Sequence, residues 1–181
     1  MQTTRSSSIC PAASVEPPGG VAFGAKAIFG DNVHAFFVEP LQSPCALVHM
    51  MSGSQELVSV YDIGLTNKTE ADGMAVARMS AFVATVMREM LAGIFTVADD
   101  ELLKLVRMVW TVQGQRLEPS AAAALLGPRF VVGHKEGQRF QDEHGLGAKM
   151  AKATHVLWTT GGSFVPEEQF QTFLLQAVAL G

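Results

Sequence analysis

The sequence predicts an α/β fold: a partial, mostly parallel sheet with flanking helices. Three observations lead there. Short β-rich runs alternate with longer helical ones from Val21 to the C-terminus. Met74 to Leu91 is apolar on nearly every face, broken mainly by Arg78, Ser80, Thr85, Arg88 and Glu89, and an all-round apolar helix is a buried one. Finally, Thr154-His155-Val156-Leu157-Trp158-Thr159-Thr160-Gly161-Gly162 is a short apolar run that ends in threonines and glycines before a helix start. Such a segment delivers a hydroxyl and bare backbone to a strand's C-terminal edge, where α/β proteins bind ligands.

Residues 1–18 are rich in Ser, Thr and Pro, with Arg5 and no acid before Glu16. They read as a disordered or unrelated leader, with a transit peptide as the other reading. Gly19-Gly20 opens a short helix from Val21 to Phe29, closed by Gly30. Val33 to Val38 is a β-rich run stopped by Glu39-Pro40, and Leu57 to Ile63 is a second strand candidate. The buried helix over 74–91 follows. Asp99-Asp100-Glu101 then put acid at the start of a helix running from Leu102 to Val112 and complement its dipole. Gly114 ends that helix. Leu117-Glu118-Pro119 is extended, and Ser120 is a candidate N-cap for Ala121 to Leu126, with Gly127-Pro128 as the stop. Residues 129–150 are polar and Gly-rich and show no period. His155 to Trp158 is the last strand. Pro166-Glu167-Glu168 starts the terminal helix, in which Phe170, Phe173, Leu174, Ala177 and Val178 form one apolar stripe facing a sheet.

Composition narrows the function. A chain of 181 residues is one domain or part of a larger one, and 48% apolar content can build a core. Net charge is −4 with the 13 lysines and arginines scattered, so no nucleic-acid groove is expected. No apolar stretch reaches the roughly 20 residues of a membrane span. Cys10 and Cys45 form no motif, which points to a reducing, cytoplasmic setting. The five histidines lack metal spacing. His34 and His155 read as packed on strands, and Met74, Met79, Met87 and Met90 as core filling.

Five ordered segments resemble the D-serine dehydratases, a family that uses pyridoxal 5'-phosphate (PLP). They are Pro18-Gly19-Gly20-Val21-Ala22-Phe23-Gly24; Phe36-Phe37-Val38-Glu39-Pro40 with Ser43-Pro44-Cys45; Asp62-Ile63-Gly64 with Ala71-Asp72-Gly73-Met74-Ala75-Val76; Arg116-Leu117-Glu118-Pro119-Ser120-Ala121; and Thr154 to Glu168. Any one alone is weak, but the ordered set is specific. The resemblance implies a PLP fold of the tryptophan-synthase-β type (fold type II), with 19–181 as the C-terminal part of its large domain. The implied reaction eliminates water from D-serine and yields pyruvate and ammonia. Thr160 looks like the residue whose hydroxyl bonds the pyridine nitrogen, the other reading being a strand-end threonine that satisfies its own turn. Gly161 allows close backbone approach. Gly19 and Gly20 look like the end of a phosphate loop. This chain departs there: Ser14-Val15-Glu16-Pro17-Pro18 stands where the family is glycine-rich, so N–H donors are lost and a negative charge is added. Glu39 suggests a cation site, monovalent or divalent, although Cys45 is a poor ligand for a hard cation. Asp72 is a helix cap or a site residue, and Glu118-Pro119-Ser120 resembles a cofactor-proximal segment.

The family's chemistry also needs a Schiff-base lysine in a Ser/Thr-x-Lys setting. Of Lys26, Lys68, Lys104, Lys135, Lys149 and Lys152 only Lys68 follows a threonine two positions back, in Thr66-Asn67-Lys68, and none lies in a segment that matches the family's lysine loop. No catalytic residue is therefore assigned to this chain. The expectation is a C-terminal portion of a D-serine dehydratase, inactive until the small domain and the lysine are supplied, and only then taking a small amino acid substrate. The alternative is a non-catalytic module that associates with a full-length relative. A third reading keeps the chemistry and changes the substrate to threonine or diaminopropionate.

Overall fold

The computed structural model describes the backbone of residues 16–181 and the side chains of 18–181. Residues 1–15 of the leader expected over 1–18 lie outside the described residues. Helix α1 runs Glu16–Phe29, three residues into that leader, and Gly30 (φ +57°) closes it as expected. Strand β1 (Ala35–Pro40) and helix α2 (Cys45–Ser52) follow. Helix α3 spans Ala81–Met87, and strand β2 spans Leu91–Val97. Helices α4 (Asp99–Gln113), α5 (Pro119–Ala122), α6 (Gly127–Gly133), α7 (Lys135–Glu143) and α8 (Glu167–Ala179) complete the chain.

The two strands pair in parallel, with Phe37 opposite Ile94 and Glu39 opposite Thr96. The α/β class and the parallel sheet are as expected. Alternation along β1 sends Ala35 and Phe37 to one face and Phe36 and Val38 to the other. The first pair packs with Ala22 of α1, Ala46 of α2 and Val83 of α3. The second packs with Met74, Leu102, Ala123 and Leu126. Helices cover both faces, so every residue of β1 is buried.

Several elements differ from the sequence reading, each for a local reason. Leu57 to Ile63 is not a strand; Val60–Ile63 is a 3₁₀ turn. Ser59 Oγ accepts from Tyr61 N, Asp62 accepts from Ser59 N, and Gly64 closes the turn at positive φ. This capping box outweighs the β-branched composition. The long helix over 74–91 is broken. Ser43 Oγ, hydrogen-bonded with Asn67 Oδ1 at 2.5 Å, stands 3.3 Å from the carbonyl oxygens of both Met74 and Val76, while Asn67 Nδ2 donates to the carbonyl of Ala75 and Ser59 Oγ to that of Ala77. Those carbonyls are captured by distant side chains instead of by a helical ladder. Only Ala81–Met87 stays helical, and Leu91 opens β2, a strand the apolar run conceals.

Ser120 is not an N-cap, since α5 starts at Pro119 with Glu118 before it. Gly127-Pro128 begins α6 instead of stopping a helix, as proline at a first turn can. Residues 129–150 hold most of α6, all of α7 and part of the 3₁₀ turn Gly147–Lys152. Helix α8 buries Phe170, Phe173 and Ala177, but against Leu103 and Val106 of α4, not a sheet. In the expected strand 155–158 only Leu157 makes a bridge.

Candidate functional site

Three of the five motif segments meet at Glu118. Its backbone N–H donates to Gly161 O at 3.3 Å. Its carboxylate lies against Gly161: a Cβ built there would stand 2.4 Å from Oε1 and 3.0 Å from Oε2. A Cβ on Gly73 would meet Ser120 Oγ at 3.0 Å and Glu118 Oε1 at 3.5 Å. Gly162 is pressed against backbone, with φ +138° and a built Cβ 2.5 Å from both Arg116 O and Leu117 Cα. The glycines expected to allow close backbone approach do so here against protein. Beside them Thr160 is exposed, and so is Asp72 at the start of the 3₁₀ turn Asp72–Met74. Ser120 is buried and faces Gly73, a packing role in place of the expected cap.

Arg116, which the sequence reading quoted without a role, anchors this edge. It donates to Glu167 Oε2 at 2.6 Å and to Val165 O at 3.0 Å, and its guanidinium sits 4.4 Å from the centre of the Phe170 ring. The turn that carries Gly162 to the start of α8 is thereby tied to the segment before α5. Arg116 and Glu167 are 51 residues apart, and no spacing rule would have paired them.

Glu39 is 2% exposed at the C-terminal end of β1. Its two oxygens accept from Ala46 N at 2.8 Å and Leu47 N at 2.9 Å, and Cys45 Sγ is 3.6 Å away. The carboxylate thus caps α2 and complements its dipole, where a cation ligand was expected. No group of three or more His, Cys, Asp or Glu that could hold a metal occurs among the described residues. Burial pushes Glu39 up to about 7, against the opposite pull of the two amides and Cys45. Burial, with Glu39 adjacent, also pushes the Cys45 thiol up, so the thiol is inert.

A carboxyl that titrates higher folded than unfolded binds its proton more tightly in the folded chain. Stability from this group therefore falls as pH rises from 4.5 to about 7. The total is about 3 kcal/mol, flat on either side of that window. Urea unfolding across the window should show this slope, and Glu39→Gln should remove it. An unchanged slope in the variant would assign the pH dependence to other groups.

Gly19 and Gly20 lie inside α1, not in a loop before a helix. Gly19 is buried, with a built Cβ 3.0 Å from Val83 Cγ1, while Gly20 is exposed with open space around it. Pro17 and Pro18 occupy the second and third positions of α1, so two of its first N–H donors are missing. His34 is half-buried at the entry to β1, its ring edge-on to Phe140 and His144. Burial and Lys26 hold its pKa below the ordinary value. With Lys26, Lys149 and Glu89 it lines a cavity at the N-terminal ends of the strands, the opposite end from Glu39. His155 is half-buried.

The fit to PLP can be judged from this geometry. A pyridine ring needs a hydroxyl for its nitrogen, and the exposed Thr160 carries one; the bare faces of Gly161 and Gly162 are turned to Glu118 and to the backbone of Arg116 and Leu117. Gly20 lies inside α1 with open space around it, and the two prolines before Gly19 leave this helix start with fewer N–H donors than a glycine-rich turn would give. No helix among the described residues is long and apolar enough to cross a membrane.

No protein-family model matches the chain. It is 80% identical over 164 residues to a probable D-serine dehydratase of Rhizobium leguminosarum bv. trifolii, which covers 91% of this chain and 37% of that protein. Among solved structures it resembles diaminopropionate ammonia lyase from Escherichia coli, crystallised with D-serine, at TM-score 0.71 and 17% identity; the match covers 99% of this chain and 44% of that one. A fungal L-serine ammonia-lyase from Rhizomucor miehei matches at TM-score 0.69 and 22% identity, over 94% of this chain and 50% of that one. Over the matched residues the chain is a homologue of the D-serine dehydratases, and its α/β fold is that of PLP fold type II enzymes. It spans little more than a third of the curated relative.

Proposed function

We propose that this chain is the C-terminal part of the large domain of a PLP-dependent D-serine dehydratase, acting in the cytoplasm as one portion of a longer catalytic unit. The observation that carries the reading is 80% identity over 164 residues to a probable D-serine dehydratase. The Glu118–Gly161 edge supports it, because it presents the residues that the resemblance assigns to the cofactor. In this reading Thr160 holds the pyridine nitrogen through a hydrogen bond to its hydroxyl. Gly161 continues that edge, the Glu118 carboxylate filling the place of its missing side chain, and Gly19 and Gly20 border the phosphate.

When bound, PLP supplies an electron sink for the carbanion left by loss of the α-proton. The chain's own residues position that group. A neutral hydroxyl at Thr160 does not stabilise a positive charge on the ring nitrogen, so the sink stays mild, which suits β-elimination. Arg116 and Glu118 keep the Thr160 edge in place. The Schiff-base lysine and the grip on the substrate carboxylate belong to the remainder of the longer protein. A monovalent cation near Glu39 would have to share the carboxylate with the amides of Ala46 and Leu47.

The test is Thr160→Val in the intact longer protein. Loss of one hydrogen bond of about 1–3 kcal/mol should lower kcat for D-serine about 10- to 100-fold and shift the cofactor's absorption band. An unchanged kcat with an unchanged band would remove Thr160 from the site. Pyruvate release by the isolated chain would sink the assignment of the lysine elsewhere.

A further inference from the structure

The cavity at the N-terminal ends of the strands has no part in the proposed reaction, and basic groups converge on it. Its volume is about 440 Å³, within the range of small-molecule sites. Segments far apart in the chain supply its charge. Lys26 comes from the last turn of α1, Asp31 from the 3₁₀ turn Gly30–Asn32 and His34 from the entry to β1. His144 follows the end of α7, and Lys149 sits in the 3₁₀ turn Gly147–Lys152. Glu89, in the turn before β2, is exposed. Lys26 meets Asp31 at 3.6 Å, but the Asp31 side chain is fully exposed, so water screens the pair. Lys149 makes no ion pair among the described residues. Burial first, then Lys26, His144 and Lys149, oppose protonation of His34, and Asp31 favours it. The balance of charge around this imidazole is therefore positive. His144 Nδ1 is 2.9 Å from Phe140 O, which leaves its Nε2 for a ligand.

We propose that this cavity binds a doubly charged oxyanion, either free phosphate or the phosphoryl group of a small organic phosphate, between Lys26, Lys149 and the imidazoles of His34 and His144. Amines and imidazoles brought together repel one another, and an anion placed among them converts that repulsion into charge-assisted hydrogen bonds. The apolar side chains of Leu91, Phe140 and Leu146 also line the cavity and would cover the organic part. The site lies at the opposite end of the strands from Glu39, so it is separate from the cofactor edge and does not depend on the reading above. Ligand and proton are linked: the anion favours the charged form of His34, and a charged His34 favours the anion. Binding therefore tightens as pH falls through the titration of His34.

The experiment titrates the 181-residue chain with sodium sulfate, which stays doubly charged wherever histidine titrates. Ring-proton NMR signals of the histidines are followed, with sodium chloride at equal ionic strength as the reference. The expected result is saturable sulfate binding that raises the midpoint of His34 by about 0.5 pH unit or more over its value in chloride. Lys149→Gln should weaken sulfate at least about 10-fold. Lys135→Gln, an exposed lysine at the other end of α7 and outside the cavity, should leave binding unchanged. Inorganic phosphate and phenyl phosphate then separate the two sources. Equal affinity identifies a site for the free anion, and phenyl phosphate binding about 10-fold tighter identifies one for an organic phosphate.

Equal effects of sulfate and chloride would mean screening alone and would overturn the proposal. So would sulfate binding that Lys149→Gln leaves untouched, or a His34 midpoint that sulfate does not raise. If the isolated chain does not hold its fold, sulfate binding to the intact longer protein with PLP in place carries the test. A loss of about 10-fold or more with Lys149→Gln supports the site there, and no loss overturns it. Turnover plays no part in these readouts, so a failure to act on D-serine would count against the function and not against the anion site.

Discussion

Gly162→Ala should destabilise the chain by about 3 kcal/mol or more, combining backbone strain with overpacking. The alanine would inherit φ +138°, a region that L side chains rarely adopt, and its Cβ would stand 2.5 Å from Arg116 O and Leu117 Cα. Both neighbours are backbone, so no rotamer change relieves the clash. The strand of chain before α5 must move, or the turn before α8 must. Gly161→Ala makes a useful contrast, because its clash is with the Glu118 carboxylate, a side chain that can swing aside. Urea unfolding should therefore rank Gly162→Ala well above Gly161→Ala. Equal costs, or less than about 1 kcal/mol at Gly162, would mean that the two segments are not pressed together as described.

Phe170→Ala should cost about 3–5 kcal/mol, the range for emptying a buried aromatic site. Phe170 is 1% exposed and packs with Leu103 and Val106 of α4 and with Phe173 and Ala177 of α8. Its ring also stands edge-on to Trp110, 5.4 Å between centroids, and lies under the Arg116 guanidinium. Removing it opens a cavity and frees Arg116 from one of the surfaces that hold it over the turn to α8. The effect should thus reach Thr160: hydrogen exchange across 160–166 should speed up along with the loss of stability. Stability lost with that turn's exchange unchanged would separate α8 packing from the site.

These predictions rest on contacts of unequal legibility in the sequence. The stripe Phe170, Phe173, Ala177 was readable from spacing alone, because a helix of that period has one apolar face whatever covers it. What covers it was not readable: the partner is α4, and nothing local distinguishes a helix from a sheet as the apolar surface opposite. β1 was visible as a β-rich run ending at Glu39-Pro40. β2 was hidden because Leu91 to Val97 continues an apolar stretch, and length and period cannot place the break between helix and strand. That break is set by Ser43, Ser59 and Asn67, which capture carbonyls from far along the chain. Of the site, the motif segments around Gly73, Glu118 and Gly161 were each quoted from sequence, but their meeting at one carboxylate is a tertiary fact. Glu39 was visible as a strand-end carboxylate, but its bonds to the amides of Ala46 and Leu47 were not, since such a carboxylate serves a helix N-terminus as well as it serves a cation.

The most direct test of the central claim is turnover of D-serine, L-serine and D-threonine with PLP, by the chain alone and by the chain joined to the missing portion of its relative. The account predicts pyruvate from D-serine only in the joined form and none from the chain alone. Turnover of L-serine but not D-serine by the joined form, or pyruvate from the chain by itself, would contradict it.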